Sequence, residues 1–363
     1  VNYLQYNKLK VFFMALSQME REALSAPAVL TKQFAENLYV LQDLCNRLQC
    51  YPPPFAMTVA RGSSDHAATF AKYLFETQLG LATASAAPSV ETLYGAKMRL
   101  AKSLVVALSQ SGQSPDIAEM MQAARSAGAV TVALVNEVNS PLAAVAEYVI
   151  PLYATPELAV AATKSYLAML GGLVQFTALM TQQQSLMAAL QDLPAQLAKA
   201  ATMDWTPAIT AYQNQQSTFV VGRGFGLPIA QEAALKFKET ARIHAEAFSG
   251  AEVMHGPFAL VQQNFPLLLF GQQDVALPGI LDLGKRLKQL SDNVFLAVPA
   301  HARNNSLLQE AATVVLPMPA SLHPLCDPLL VIQAFYKMVA QLAVSRGLNP
   351  DAPVNLSKVT KTR

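Results

Sequence analysis

The stretch MTVARGSSDHAATFAKYLFE (Met57 to Glu76) recurs in altered form 162 positions later as FVVGRGFGLPIAQEAALKFK (Phe219 to Lys238). In that register Arg61-Gly62 falls on Arg223-Gly224, Ala68 on Ala230, Ala71 on Ala233 and Phe75 on Phe237. The same offset lays LVVALSQSG (Leu104 to Gly112) over PLLLFGQQD (Pro266 to Asp274), and VTVALV (Val130 to Val135) near NVFLAV (Asn293 to Val298). Identity is low but order is kept, so the chain reads as two copies of one unit. Its 363 residues suit two domains better than one.

Each copy alternates short apolar runs with longer helical stretches. In the first, Ala56 to Ala60, Leu104 to Leu108, Val130 to Val135 and Tyr148 to Pro151 are rich in β-branched residues without strict alternation. That pattern suits strands buried on both faces of a parallel sheet. The intervening His66 to Glu76, Pro115 to Ala127 and Pro141 to Ala146 carry helix formers. Strand and helix in turn predict an α/β fold of two tandem doubly wound parallel sheets. We expect a helical segment over 1–45 packed outside the first domain, that domain over 46–200, a second over 201–347 and a tail over 348–363. Gln191 to Ser217, with Pro194 and Pro207, reads as the link between the copies.

Composition excludes several partners. With 52% apolar and 14% charged residues the chain can bury a large core. A net charge of +2 is too balanced for a chain devoted to nucleic acid or an anionic membrane. The three cysteines, Cys45, Cys50 and Cys326, fit no zinc or redox spacing, which points to no metal, no cofactor and a reducing, cytoplasmic setting. The longest apolar stretch, Ser165 to Met180, is interrupted by Gln175 and Thr177 and falls short of the ~20 residues of a spanning helix. It is expected to be a buried helix of a soluble protein.

The chemistry concentrates in three places. SQSGQSPD (Ser109 to Asp116) directly follows a strand and runs into a helix near Pro115. Ligands of open α/β sheets bind beyond the carboxyl ends of strands, and a helix N-terminus favours an anion there. Ser63 and Ser64 end the first strand in the same sense, so two serine loops can close on one phosphate. Taken singly, either loop is equally a turn with an N-cap. The second copy puts Gly271, Gln273 and Asp274 at the matching ground, so one copy alone should hold the anion. What the other supplies lies in KFKETARIHAEAFSGAEVMHGP (Lys236 to Pro257), dense in ionisable groups. Lys236 and Glu239 share a helix face. They are either a solvated ion pair or a partly buried base with its partner. Lys238 and Arg242 read as solvated and His244 as a hydrogen-bonded core histidine, while His255 before Gly256-Pro257 is better placed to face a pocket. The basic tail NLSKVTKTR reads, on composition alone, as mobile.

Together with ELAVAATKSY, these segments occur in an order and spacing that resembles the sugar isomerase (SIS) domain family, over nearly the whole chain from Met19. The likeness is greatest to the isomerase half of glutamine–fructose-6-phosphate aminotransferases. The resemblance implies a flavodoxin-like three-layer αβα domain in each copy. It implies that Ser63, Ser64, Ser109, Gln110, Ser111 and Ser114 hold a sugar phosphate and that Val160 and Ala161 line the sugar with backbone. It implies Glu239 as the base between C1 and C2 with Lys236 beside it, and His255 as the ring-opening group, supplied across a homodimer. It gives Lys358 to a Schiff base with the keto sugar, which reverses the reading of the tail.

That family's glutaminase nucleophile is the first cysteine of its chain; here the first is Cys45, so that half is not expected. The expected reaction is therefore isomerising deamination of an amino sugar phosphate, glucosamine 6-phosphate with water giving fructose 6-phosphate and ammonia. The alternatives are an aldose/ketose phosphosugar isomerase, a fructosamine-phosphate deglycase and a non-enzymatic phosphosugar sensor.

Overall fold

The β-branched runs do form buried parallel strands, and the computed structural model, which describes residues 16–300 and 306–358, arranges them in two five-stranded sheets. The first contains β1 (Ala56–Val59), β2 (Thr83–Ser85), β3 (Leu104–Ser109), β4 (Val130–Val135) and β5 (Tyr148–Pro151), in the order β2-β1-β3-β4-β5. The second contains β6 (Ser217–Gly222), β7 (His244–Ser249), β8 (Leu267–Phe270), β9 (Val294–Ala297) and β10 (Val314–Leu316), in the order β7-β6-β8-β9-β10. Every pair is parallel. The two orders are the same, so the sequence repeat is a repeat of topology.

Helices cover both faces of each sheet. In the first half these are α1 (Gln18–Glu36), α2 (Leu38–Cys50), α3 (Ser63–Gln78), α4 (Ser89–Thr92), α5 (Pro115–Ser126), α6 (Pro141–Val145), α7 (Lys164–Thr181) and α8 (Gln184–Ala200). The second half adds α9 (Thr206–Tyr212), α10 (Gly226–Ala241), α11 (Leu277–Lys288), α12 (Ser306–Ala311) and α13 (Asp327–Ser345). Strand side chains alternate between layers. On β3, Leu104, Val106 and Leu108 enter a large central core, while Val105 and Ala107 pack with Ile117, Met120 and Met121 of α5. The central core is common to both halves, since it also takes Val220, Leu268 and Phe270 of the second sheet.

Two expectations need correction. The N-terminal helix does not lie outside the first domain. Met19, Ala26 and Leu30 of α1 are fully buried, and α1 packs on α7, α8 and also α13, so it is wedged between the halves. Gln191 to Ser217 does join the two halves, and it does so largely as packed helix. Leu186, Leu190, Leu193 and Leu197 form a buried helical stripe that carries α8 through Pro194. The burial of that stripe outweighs the backbone hydrogen bond that proline removes. His244 is exposed on β7 rather than in the core, with its Nε2 3.9 Å from Glu246.

The stretch from Ser165 to Met180 is indeed a core helix, α7, buried over most of its length. Among the described residues one helix, α13, is long and apolar enough to cross a membrane, but its apolar window is 78% buried within the fold. Its Leu329, Phe335, Val339 and Leu342 belong to the central core.

Candidate active site

Two helices begin at the carboxyl ends of adjacent strands of the first sheet. Gly62, at φ +57°, turns the chain from β1 into α3, and Ser63 and Ser64 are the first residues of that helix. After β3 the chain passes through Ser109 to Ser114 and enters α5 at Pro115. Neither helix start is capped by a side chain. The first N–H groups of a helix have no partner within it, so two such starts, both at the positive end of a helix dipole, favour an anion between them. Ser109 Oγ accepts from Gly112 N at 2.9 Å, which holds the loop in shape. Gly112 itself is at φ +63°, and a Cβ there would lie 2.1 Å from Ser140 Oγ. The loop can carry only glycine at that point.

These elements border a cavity of about 330 Å³. Its walls include Ser63, Ser64, Ser109, Gln110, Ser111 and Ser114 from the two loops, Val160 and Ala162 from the segment before α7, Glu239 from α10, and Leu356 to Lys358 from the tail. Thus the phosphate candidates and the acid–base candidates, read from opposite halves of the sequence, meet in one place. Ala161 is fully buried behind its neighbours. His255 is not at this cavity: it is exposed after the short 3-10 turn Glu252–Met254, and it lines none of the walls named above.

Lys236 stands behind the cavity rather than in it, at the centre of a buried polar cluster. Its Nζ lies 2.8 Å from Glu239 Oε2, 3.2 Å from Glu232 Oε1 and donates to Ser63 Oγ at 2.9 Å. The side chains of Lys236 and Glu232 are wholly buried and that of Glu239 is 19% exposed. The pair is therefore not a solvated surface feature. Burial alone would lower the Lys236 pKa, but the two carboxylates outweigh it and hold the ammonium above the usual lysine range. Burial likewise drives the Glu232 carboxyl up, and Lys236 with His66 reverses this and holds it below the usual range. His66 of α3 contributes Nδ1 at 3.0 Å from Glu232 Oε2, and Tyr336 of α13 donates to Oε1 at 3.3 Å. One lysine thus fixes Glu239 at the cavity wall and ties the second half to Ser63 of the first.

The tail is held as well. Asp351 accepts from Gln18 N and Met19 N, both at 2.8 Å, and Val160 N donates to Asp351 O at 3.1 Å. Further on, Lys358 meets Glu157, the first residue of the motif ELAVAATKSY, at 3.1 Å. Arg61, also at the cavity, is bound through Nε and Nη2 to the buried Asp116 at 3.1 and 2.7 Å. Four of these residues, His66, Glu157, Glu232 and Arg61, escaped the sequence reading. For Glu157 and Glu232 a signal existed: each is a lone acid in an apolar run, which needs a buried partner.

The matching ground in the second half is closed. Gln272, buried at the end of β8, donates through Nε2 to Arg223 O at 2.9 Å and to Asp274 Oδ2 at 3.0 Å. Its amide fills the space at Gly226, where a Cβ would lie 2.9 Å from its Oε1. Among the described residues no group of three or more His, Cys, Asp or Glu is arranged to hold a metal ion.

Comparison with known proteins agrees with this architecture. A model of the SIS domain matches residues 56–179 and 211–345. The glutamine–fructose-6-phosphate aminotransferase of Methanothermobacter thermautotrophicus is 32% identical over 302 residues, 83% of this chain and 50% of that one. The chain spans about half the length of the curated relatives it matches. Among solved structures, a candidate phosphosugar isomerase of Silicibacter pomeroyi DSS-3 is 38% identical, with TM-score 0.84 over 93% of this chain and 100% of that chain. A glucosamine-6-phosphate deaminase of Thermotoga maritima shares the fold at 21% identity, TM-score 0.72, over 95% and 100% of the two chains.

Proposed function

We propose that this chain, which belongs to the SIS domain family, is an isomerising deaminase that converts glucosamine 6-phosphate and water to fructose 6-phosphate and ammonia. The observation that carries the reading is one shared cavity wall, in which two uncapped helix starts and their serines meet Glu239 and Lys358. The loops Ser63-Ser64 and Ser109 to Ser114 take the phosphate, so remote binding energy sets the reacting carbons against the catalytic groups.

In this reading Glu239, held by Lys236, removes the C2 proton of the open sugar and returns it at C1. Such a general-base step is worth about 10²–10⁴-fold. Water then adds to the imine at C2 and ammonia leaves. Lys358 takes up the keto product as a Schiff base. Ring opening is the task of His255; being outside the cavity of its own chain, it would serve the site of a second copy, which makes the working unit a homodimer. Water is abundant at an open site, whereas free ammonia near neutrality is mostly ammonium and not nucleophilic, which favours hydrolysis. The shared fold with the deaminase of Thermotoga maritima is consistent with this chemistry.

The test is to mix the protein with glucosamine 6-phosphate and follow ammonia. Interconversion of aldose and ketose phosphates without ammonia would replace the reading by a plain isomerase. Glu239→Gln should keep affinity for fructose 6-phosphate and lose turnover by about 10²-fold or more.

A second reading, release of an amino acid from a fructosamine 6-phosphate, has one observation in its favour. A further cavity of about 660 Å³, with Lys32, Asn136 and Tyr153 in its walls, shares Gln110, Ser111 and Lys358 with the first. An amine larger than ammonia could lie there. Amino acid release from such an adduct, faster than ammonia from glucosamine 6-phosphate, would select it.

A further inference from the structure

Lys358 is not a free amine. Its Nζ is 3.1 Å from Glu157 Oε2 and donates to Ala159 O at 2.8 Å. The lysine side chain is 24% exposed, and the Glu157 side chain is wholly buried. The two carboxylate oxygens do different work. Oε1 accepts from Thr163 N at 2.9 Å and Ser165 N at 3.2 Å, at the start of α7. Oε2 accepts from Ser165 Oγ at 2.6 Å and faces Lys358. Burial by itself pushes the Glu157 carboxyl up, yet the Lys358 ammonium and these three hydrogen bonds outweigh it and keep the group below the usual carboxylate range. A fixed, water-shielded negative charge therefore sits against the amine at the cavity wall.

We propose that Glu157 is a positioning residue for Lys358, serving as the counterion first of its ammonium and then of the iminium it forms with a keto sugar phosphate. The inference rests on the Schiff-base role given to Lys358 above. The step balances without an outside proton. The C–N bond forms as the C–O bond breaks, two protons pass from nitrogen to the departing carbonyl oxygen, and water leaves. The nitrogen carries one positive charge before and after. Glu157 thus keeps an ionic partner throughout, and a buried carboxylate is never left unpaired, which would cost several kcal/mol. The capping of α7 by Oε1 holds the carboxylate in place beside the nitrogen as the iminium forms.

The variant Glu157→Gln preserves size and an acceptor for the α7 N–H groups while removing the charge. The full chain is incubated with fructose 6-phosphate and cyanoborohydride between pH 6 and 9, and the peptide bearing Lys358 is weighed by mass spectrometry. The wild type should carry a reduced hexose phosphate adduct on Lys358. In Glu157→Gln the iminium loses its counterion, so the alkaline limb of trapping should move about one pH unit lower, a loss of about tenfold on that limb. Glu157→Asp should restore most of the wild-type profile. Affinity for glucitol 6-phosphate, which has no carbonyl, should stay within about threefold for all three proteins, a readout that separates positioning from structural damage.

Equal trapping profiles for wild type and Glu157→Gln would overturn the proposal while leaving the Schiff base intact. Parallel loss of glucitol 6-phosphate affinity would overturn it in favour of a purely structural cap. A wild type with no adduct on Lys358 would remove the premise and the proposal together.

Discussion

The buried lysine between the halves gives the sharpest test of the structure. In Lys236→Met a thioether of similar length replaces an ammonium that has no exposed surface. Glu232 then keeps only the Tyr336 hydroxyl on Oε1 and His66 on Oε2, and its charge has no fixed cation. Breaking a buried ion pair from one side costs about 3–5 kcal/mol. With an unfolding entropy of about 2.1 cal/mol/K per residue, the 363 residues give roughly 0.8 kcal/mol/K, so Tm should fall by roughly 4–6 °C if unfolding is two-state.

The loss should depend on pH in a defined direction. Without Lys236, burial raises the Glu232 pKa above its unfolded value. A raised carboxyl favours the fold at low pH, and that contribution disappears as pH climbs through the folded pKa. The deficit measured by urea unfolding should therefore be smaller at pH 5 than at pH 8. Adding Glu232→Gln removes the orphaned charge and should recover most of the stability, since neutral replacement of a buried pair is often tolerated. A deficit under about 1 kcal/mol at pH 8, or a double variant as unstable as the single one, would refute the assignment of an ionised pair.

Two further outcomes follow from local geometry. Gly112→Ala would force a Cβ to within 2.1 Å of Ser140 Oγ at a φ of +63°, so unfolding should show a loss of about 1–3 kcal/mol and phosphosugar affinity should fall with it. Asp327, at the start of α13, is pushed up to about 7 chiefly by burial. Between about pH 4 and 7 the folded state holds a proton that the unfolded state has lost, so stability should drop with rising pH by up to about 1.4 kcal/mol per unit; in Asp327→Asn that part of the slope, read from unfolding across this range, should vanish.

What could be read from the sequence follows how local the cause is. The β-branched runs at Leu104 and Val130 announce buried strands because their composition answers to both sheet faces at once. The serines after β1 and β3 were legible for the same reason, as strand-end loops are set by nearby residues. The strand β2, three residues long with two exposed, leaves too little pattern to find. His66 and Glu232 lie 166 positions apart, and nothing near either one names the other. Composition misjudged the described part of the tail, because its placement comes from contacts with distant elements, Asp351 with the first turn of α1 and Lys358 with Glu157. The burial of Lys236 was likewise hidden, since a KxxE spacing looks the same on a wet helix face as on a dry one.

Asp351 clamps the first turn of α1 from 333 positions downstream, and the chain then runs back to lay Leu356 to Lys358 against loops of the first sheet. During synthesis the first sheet can therefore be complete long before its ligand chamber is. No fragment released before residue 358 holds the finished chamber, and clipping between the clamp and Lys358 should leave a well-folded but inert body.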